Sequence, residues 1–140
     1  MIRKLTLGIF ISAFLMTGCA SAGPTIDQES MYILASALTK LSASVESTVR
    51  YKNPPSDISD DELLKLSTQH DPALLDPFAG YTLKVLQEDR HAIVLVCTED
   101  GAQGLLEDVG CSAAMDKHVW QLEMNACVFT LSPADVCVAH

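Results

Sequence analysis

The stretch Tyr81-Thr-Leu-Lys-Val-Leu-Gln-Glu-Asp-Arg-His-Ala-Ile-Val-Leu-Val-Cys97 decides the fold of this 140-residue chain. In its first half, apolar side chains at Tyr81, Leu83 and Val85 recur with the period of two that is typical of a strand buried mainly on one face. Its second half, residues 92–97, is almost wholly apolar and β-branched, as in a central strand buried on both faces. The polar residues 88–90 between the halves indicate a turn. The stretch therefore predicts a β-hairpin.

A helical pattern precedes this hairpin. From Ile26 to about Tyr51, apolar residues recur every three or four positions and predict one long helix with a single apolar stripe: Met31, Leu34, Leu38, Leu41, Val45 and Val49. Thr25 and Gln28 could form its capping box. Ser59 with Glu62 is a second capping-box pattern, and it predicts a shorter helix to about Gln69. We expect a further helical turn through Leu75 and then a turn at residues 76–80.

The region after the hairpin is harder to assign. Residues 104–107 fit either a third strand or a short helical turn. Residues 118–124 alternate as a strand does, although a helix from Ala113 fits almost as well, and residues 127–131 predict a last strand. The sequence as a whole predicts a single α+β domain over residues 26–140. In it, a long N-terminal helix and a short second helix pack on one face of a small antiparallel sheet of three to five strands.

Four cysteines in the C-terminal half predict two disulfides: Cys97, Cys111, Cys127 and Cys137. Four cysteines allow three pairings, and we favour Cys97–Cys111 with Cys127–Cys137, because each bond would close a short loop. Zinc binding is the alternative, with His118 and His140 as nearby ligands. No Cys-x2–4-Cys pair is present, so the sequence favours disulfides and predicts neither a metal nor another cofactor.

The N-terminus has the layout of a secretory signal peptide. Arg3 and Lys4 precede the uncharged apolar run of residues 5–16, which is too short to span a membrane. The ending Leu15-Met-Thr-Gly-Cys19 resembles the lipobox of bacterial lipoproteins. The resemblance covers residues 1–19 only. It implies that residues 1–18 are cleaved, that Cys19 carries the lipid, and that residues 19–25 form a short tether. The alternative is an ordinary signal peptide cut near residues 20–22.

The lipobox resemblance also implies a location. Residue 20 is Ala rather than the Asp that retains enterobacterial lipoproteins in the inner membrane, so the expected site is the outer membrane, facing the periplasm or exposed at the cell surface. Cleavage would remove two of the nine basic residues and none of the 18 acidic ones. An acidic surface of this kind repels phosphate backbones, so we expect no nucleic-acid partner.

No catalytic motif is recognisable in the chain. It lacks Gly-x-Ser-x-Gly, His-Glu-x-x-His, Ser-x-x-Lys and a glycine-rich phosphate loop. We expect its histidines to be surface or half-buried residues: His70, His91, His118 and His140. We also expect the adjacent acids at residues 99–100 and 107–108 to be solvated. An enzyme is therefore the less favoured hypothesis, and the sequence assigns no catalytic residue.

The first functional hypothesis is a non-enzymatic outer-membrane lipoprotein that acts as an adaptor or accessory factor of an envelope assembly. In broad layout the chain is similar to secretion pilotins, which are small lipoproteins that carry a partner to the outer membrane. Its partner site would be a groove between the long helix and the sheet, lined by Leu34, Leu38, Leu41, Val45 and Trp120. The alternatives are an envelope enzyme or small-ligand-binding lipoprotein, and a passive structural lipoprotein.

Overall fold

A computed structural model describes residues 27–111, 117–119 and 125–137 of the chain. These residues form the predicted α+β architecture, in which a long helix and a shorter one accompany an antiparallel sheet and two disulfides. The helices are α1 (Gln28–Lys52), α2 (Asp60–Ser67), a 3₁₀ helix (Pro72–Phe78) and α3 (Pro133–Val136). The strands are β1 (Thr82–Glu88), β2 (His91–Cys97), β3 (Gly104–Val109) and β4 (Lys117–Val119).

Helix α1 begins and ends at residues suited to those positions. The Asp27 carboxylate accepts the Ser30 backbone N–H at 2.9 Å and so caps the first turn. Thr25, the predicted cap, lies outside the described residues. At the other end, Asn53 adopts the left-handed conformation, with φ of 47°, and closes the helix ahead of two prolines.

The capping box predicted for α2 is confirmed. The Glu62 backbone N–H donates to Ser59 Oγ, and the Ser59 backbone N–H donates to the Glu62 carboxylate. The next segment departs from prediction, because one 3₁₀ helix continues to Phe78 where a turn was expected from residue 76. Phe78 is buried in the main core, and this burial keeps the segment folded against the domain.

The strands form one sheet in the order β1-β2-β3-β4, and all neighbours are antiparallel. The predicted hairpin is confirmed, with Val85 opposite Val94 and Glu88 opposite His91. Asp89 makes the tight connection with φ of 53°. Residues 104–107 are part of strand β3, so the helical alternative is wrong. Residues 117–119 form β4, and the rest of the predicted strand to residue 124 lies outside the described residues.

Strand β2 is covered on both faces, as predicted. On one face, Val94 and Val96 pack against α1 in the main core. On the other face, Leu95 and Cys97 pack with Cys127 and Phe129 of the segment that follows β4. The described part of the domain therefore has α1 on one side of the sheet and residues 125–137 on the other.

The prediction of a last strand over residues 127–131 is wrong. Among the described residues of this region, the structure has only an isolated bridge, between Gln103 and Ala126. The backbone N–H groups of Thr130 and Leu131 donate instead to the Glu107 carboxylate, each at 3.0 Å. Because a buried side chain satisfies these donors, residues 130 and 131 lie across the face of the sheet and do not pair with a strand.

Candidate functional site

The four helix residues assigned to a partner groove are core residues. Leu34, Leu38, Leu41 and Val45 are all buried in the main hydrophobic cluster. The small residues between them let α1 approach the sheet. At Gly110 a Cβ atom would lie 2.3 Å from the Ser42 carbonyl oxygen. The groove prediction is therefore wrong for these four positions, since the chain's own sheet fills the space. The other two predicted site residues, Trp120 and Cys19, lie outside the described residues.

The cysteines form two disulfides, but the favoured pairing is wrong. The bonds join Cys97 to Cys127 and Cys111 to Cys137. Cys97 ends β2 next to the start of β3, whereas Cys111 lies beyond the far end of β3. At about 3.3 Å per residue, that strand separates the two cysteines by roughly 20 Å, far more than the ~7 Å limit for a disulfide. The segment 125–137 runs across the sheet, so that Cys127 reaches Cys97 at one end of β3 and Cys137 reaches Cys111 at the other.

A buried carboxylate holds a half-buried histidine of the sheet. The side chain of His91 is 26% exposed, and its Nδ1–H donates to Glu46 Oε1 at 2.5 Å. The other oxygen, Glu46 Oε2, accepts the Ala92 backbone N–H at 2.7 Å. Helix α1 supplies Glu46 and strand β2 supplies the other two residues. The arrangement fixes the orientation of the imidazole ring, because both carboxylate oxygens are engaged.

The Cys111–Cys137 disulfide lies beside this histidine. Ligand atoms of His91, Cys111 and Cys137 all lie within 4.8 Å of one another. Strand pairing explains two of the three, because Ile93 is opposite Val109 and the next residues on the same face are His91 and Cys111. The zinc alternative named His118 and His140, whereas the structure brings His91 to the cysteines. His140 and the side chain of His118 lie outside the described residues.

Sequence reasoning missed the contact between Glu46 and His91. The available signal was a glutamate directly after Val45, at the border of the apolar stripe of α1. A carboxylate at such a border reaches the sheet on which the helix packs. Its partner on the sheet could not be identified from the sequence, because the register between a helix and a strand depends on the packing.

Two adjacent acids on β3 are buried, although solvation was expected. Glu107 faces residues 125–137 and accepts three donors, from Thr130 N, Thr130 Oγ1 and Leu131 N. Asp108 faces α1, where its Oδ2 accepts the Ser42 hydroxyl at 3.1 Å and the Thr39 hydroxyl at 3.3 Å. Neighbours on a strand point to opposite faces, so each acid has its own set of donors. Glu107 thus joins β3 to residues 125–137, and Asp108 joins β3 to α1, so both acids have a structural role.

The turn between β2 and β3 forms an open depression, lined by Thr98, Glu99, Asp100, Ala102 and Gln103. Donation by the Thr98 hydroxyl, supported by the Ala102 backbone N–H, holds the pKa of Asp100 below its ordinary value. The acids at 99 and 100 are exposed, in agreement with the prediction. The hydrogen bonds of Asp100 are made within the turn, to Thr98 and Ala102. They stabilise the conformation of the loop and do not indicate a ligand site.

Comparisons with known proteins do not assign a family or a function to this chain. No protein-family model, curated protein or solved structure significantly matches this chain. Among the described residues, no helix combines the length and the hydrophobicity required to span a membrane.

Proposed function

We propose that this chain is a lipoprotein of the bacterial cell envelope, anchored in the outer membrane through Cys19, that acts without catalysis as an adaptor or accessory factor of an envelope assembly. The observation that carries the proposal is the run Leu15-Met-Thr-Gly-Cys19 directly after a short apolar core and two positive charges. A lipid on Cys19 would hold residue 27 within eight residues of the membrane surface.

The disulfides support an exported protein. Bonds such as Cys97–Cys127 and Cys111–Cys137 form and persist in oxidising compartments, which include the periplasm. Two cross-links also restrict the unfolded chain and so stabilise a small domain in such a compartment. This is the compartment to which the N-terminal segment would direct the chain.

The residues first expected to line a partner groove belong to the core, so we place the partner contact on the solvent side of α1. Tyr32 and Ile33 are 68% and 64% exposed, and they are neighbours in the first turns of the helix. Large apolar side chains that are exposed together are typical of interaction sites, and aromatic residues anchor many of them. These two lie at the tethered end of the domain, where a partner held at the same membrane surface would meet them.

Crosslinking in intact cells tests the adaptor function. The native chain is crosslinked, recovered from the membrane fraction, and its bound proteins are identified by mass spectrometry. We expect one dominant envelope protein, which is lost when Cys19→Ala releases the domain and when Tyr32→Ser/Ile33→Ser removes the apolar pair. Tyr51→Ser is the matched control, since Tyr51 is also an exposed tyrosine but lies near the other end of α1. Recovery of bulk porins only would favour a passive lipoprotein.

A further inference from the structure

The two disulfides lie in different surroundings. Cys97 and Cys127 are buried in the cluster with Leu95, whereas Cys111 and Cys137 are only half-buried. Reduction requires a thiolate to reach a sulfur atom of the bond, so exposure decides which bond opens first. The Cys111–Cys137 bond is the accessible one.

Opening this bond would leave Cys137 in place. The segment that carries Cys137 is also held by the Cys97–Cys127 disulfide and by the bonds of Thr130 and Leu131 to Glu107. Further along, the Ser132 hydroxyl donates to the Glu88 carboxylate at 2.7 Å. These contacts keep the end of the segment beside the end of the sheet. The two thiols would therefore remain near each other and near His91.

His91 has the environment of a metal-binding histidine. Its Nδ1–H donates to the buried Glu46 carboxylate, which leaves Nε2 as the ring nitrogen able to bind a cation. Metal-ligating histidines in proteins commonly donate their second N–H to a carboxylate in this way. Glu46 itself is held by the Ala92 backbone N–H. The ring is thus oriented before any cation arrives.

We propose that the chain with Cys111 and Cys137 reduced binds one Zn²⁺ through the two cysteine sulfurs and His91 Nε2. A dithiol supplies the two electrons. It becomes a cyclic disulfide, and the Cys111–Cys137 bond becomes two thiols. Zn²⁺ then displaces one proton from each thiol and bonds to both sulfurs, so two protons leave for each cation bound. A disulfide oxidant would take the two electrons back and become a dithiol, and the Cys111–Cys137 bond would re-form with release of the cation.

The ligand set explains the choice of cation. Thiolate and imidazole ligands favour Zn²⁺ over the hard cations Mg²⁺ and Ca²⁺, which prefer oxygen. Three protein ligands leave the fourth tetrahedral position to water or an outside ligand, as in zinc sites that exchange ligands. The site therefore differs from a closed structural site.

The first test locates the reducible bond. The full chain, or its mature form, is treated with increasing dithiothreitol, free thiols are alkylated, and the modified peptides are identified by mass spectrometry. We expect Cys111 and Cys137 to be modified at dithiol concentrations that leave Cys97 and Cys127 bonded. Modification of the buried pair first, or of all four cysteines together, would overturn the proposal.

The second test measures cation binding after removal of the dithiol without oxygen. We expect the partly reduced chain to bind one Zn²⁺, and Co²⁺ in its place to show thiolate charge-transfer and tetrahedral d–d absorption. The oxidised chain and Cys111→Ser/Cys137→Ser should show neither. His91→Gln, which keeps an N–H toward Glu46, should weaken binding by more than about tenfold. His70→Gln, at an exposed histidine, is the matched control and should bind normally.

Either of two results would contradict the zinc site. One is a partly reduced chain that stays folded by circular dichroism and binds neither cation. The other is equal binding by the native chain and by Cys111→Ser/Cys137→Ser, which would place the cation elsewhere. Should His91→Gln fail to fold, the cobalt spectrum of the native chain still reports whether two thiolates are bound. A spectrum without thiolate charge transfer would also exclude the site.

Discussion

The Glu107 carboxylate and the Thr130 backbone join two layers of the domain, with Thr130 N–H donating to Glu107 Oε1 at 3.0 Å across 23 residues of sequence. The Thr130 hydroxyl donates to the same carboxylate at 2.6 Å, and the Leu131 N–H at 3.0 Å. Glu107 is fully buried. One strand residue therefore fixes the path of the segment that carries Cys127 and Cys137.

Glu107→Gln should destabilise the domain by about 1–3 kcal/mol. The neutral amide has a single oxygen for the two backbone N–H groups, and it loses the negative charge that strengthens these hydrogen bonds. Urea unfolding monitored by circular dichroism measures the difference. Glu99→Gln makes the same chemical change at an exposed position and should stay within about 0.5 kcal/mol of the native chain. Equal effects of the two substitutions would show that the Glu107 carboxylate does not hold the segment.

Gly110→Ala should cost about 1–3 kcal/mol or more, because the added Cβ would lie 2.3 Å from the Ser42 carbonyl oxygen and 2.6 Å from Glu46 Cβ. The nearest atom belongs to the backbone of α1, so the helix itself would have to move. Gly80→Ala is the matched comparison. Gly80 has φ of 84°, and a Cβ added there would meet no atom within 4 Å, so that change introduces backbone strain of only about 1–2 kcal/mol. A Gly110→Ala variant as stable as the native chain would disprove the close approach.

Removing either disulfide should lower the free energy of unfolding by about 3.5 kcal/mol, since the sequence separations of 30 and 26 residues imply similar loop entropies. Cys97→Ala/Cys127→Ala should cost more than Cys111→Ala/Cys137→Ala, because it also removes two sulfur atoms from a buried cluster. Urea unfolding of the two double variants measures both values. A larger loss at the half-buried pair would contradict this ranking.

Thr98→Val should raise the pKa of Asp100 toward its ordinary value, because the hydroxyl of Thr98 is the main cause of the lowered pKa. A carboxyl with a lowered folded-state pKa stabilises the fold above its unfolded-state pKa, and this stabilisation is lost as the pH falls through the folded-state pKa. Carboxyl-detected NMR titration measures the midpoint in both chains. An unchanged midpoint in Thr98→Val would mean that the turn backbone alone sets it.

The sequence predicted those parts of the fold that local patterns specify. The stripe of α1, the capping box at Ser59 and the hairpin of residues 81–97 each depend on neighbours in sequence, and all three are present. The apolar character of residues 92–97 also predicted burial on both faces. What it did not reveal is that the second cover is the segment 125–137, which is irregular except for the short helix α3.

The disulfide pairing and the candidate site could not be predicted, for a common reason. Both depend on which ends of the sheet the segment 125–137 reaches, and a buried carboxylate on β3 determines that path. Short loops favoured Cys97–Cys111, but the extended length of β3 keeps these cysteines apart. Similarly, His91 meets Glu46 only because α1 crosses the end of β2, and nothing local in either segment encodes that crossing.

Lipid attachment at Cys19 is the central claim of the functional account, because the membrane location and the adaptor role both depend on it. Intact-mass and N-terminal peptide mass spectrometry of the protein, expressed with its own leader in a Gram-negative host, tests this claim most directly. The account predicts a chain that begins at Cys19 with diacylglyceryl and amide-linked acyl groups, recovered with the membranes. An unmodified chain that begins near residues 20–23 and remains in the soluble periplasmic fraction would contradict it.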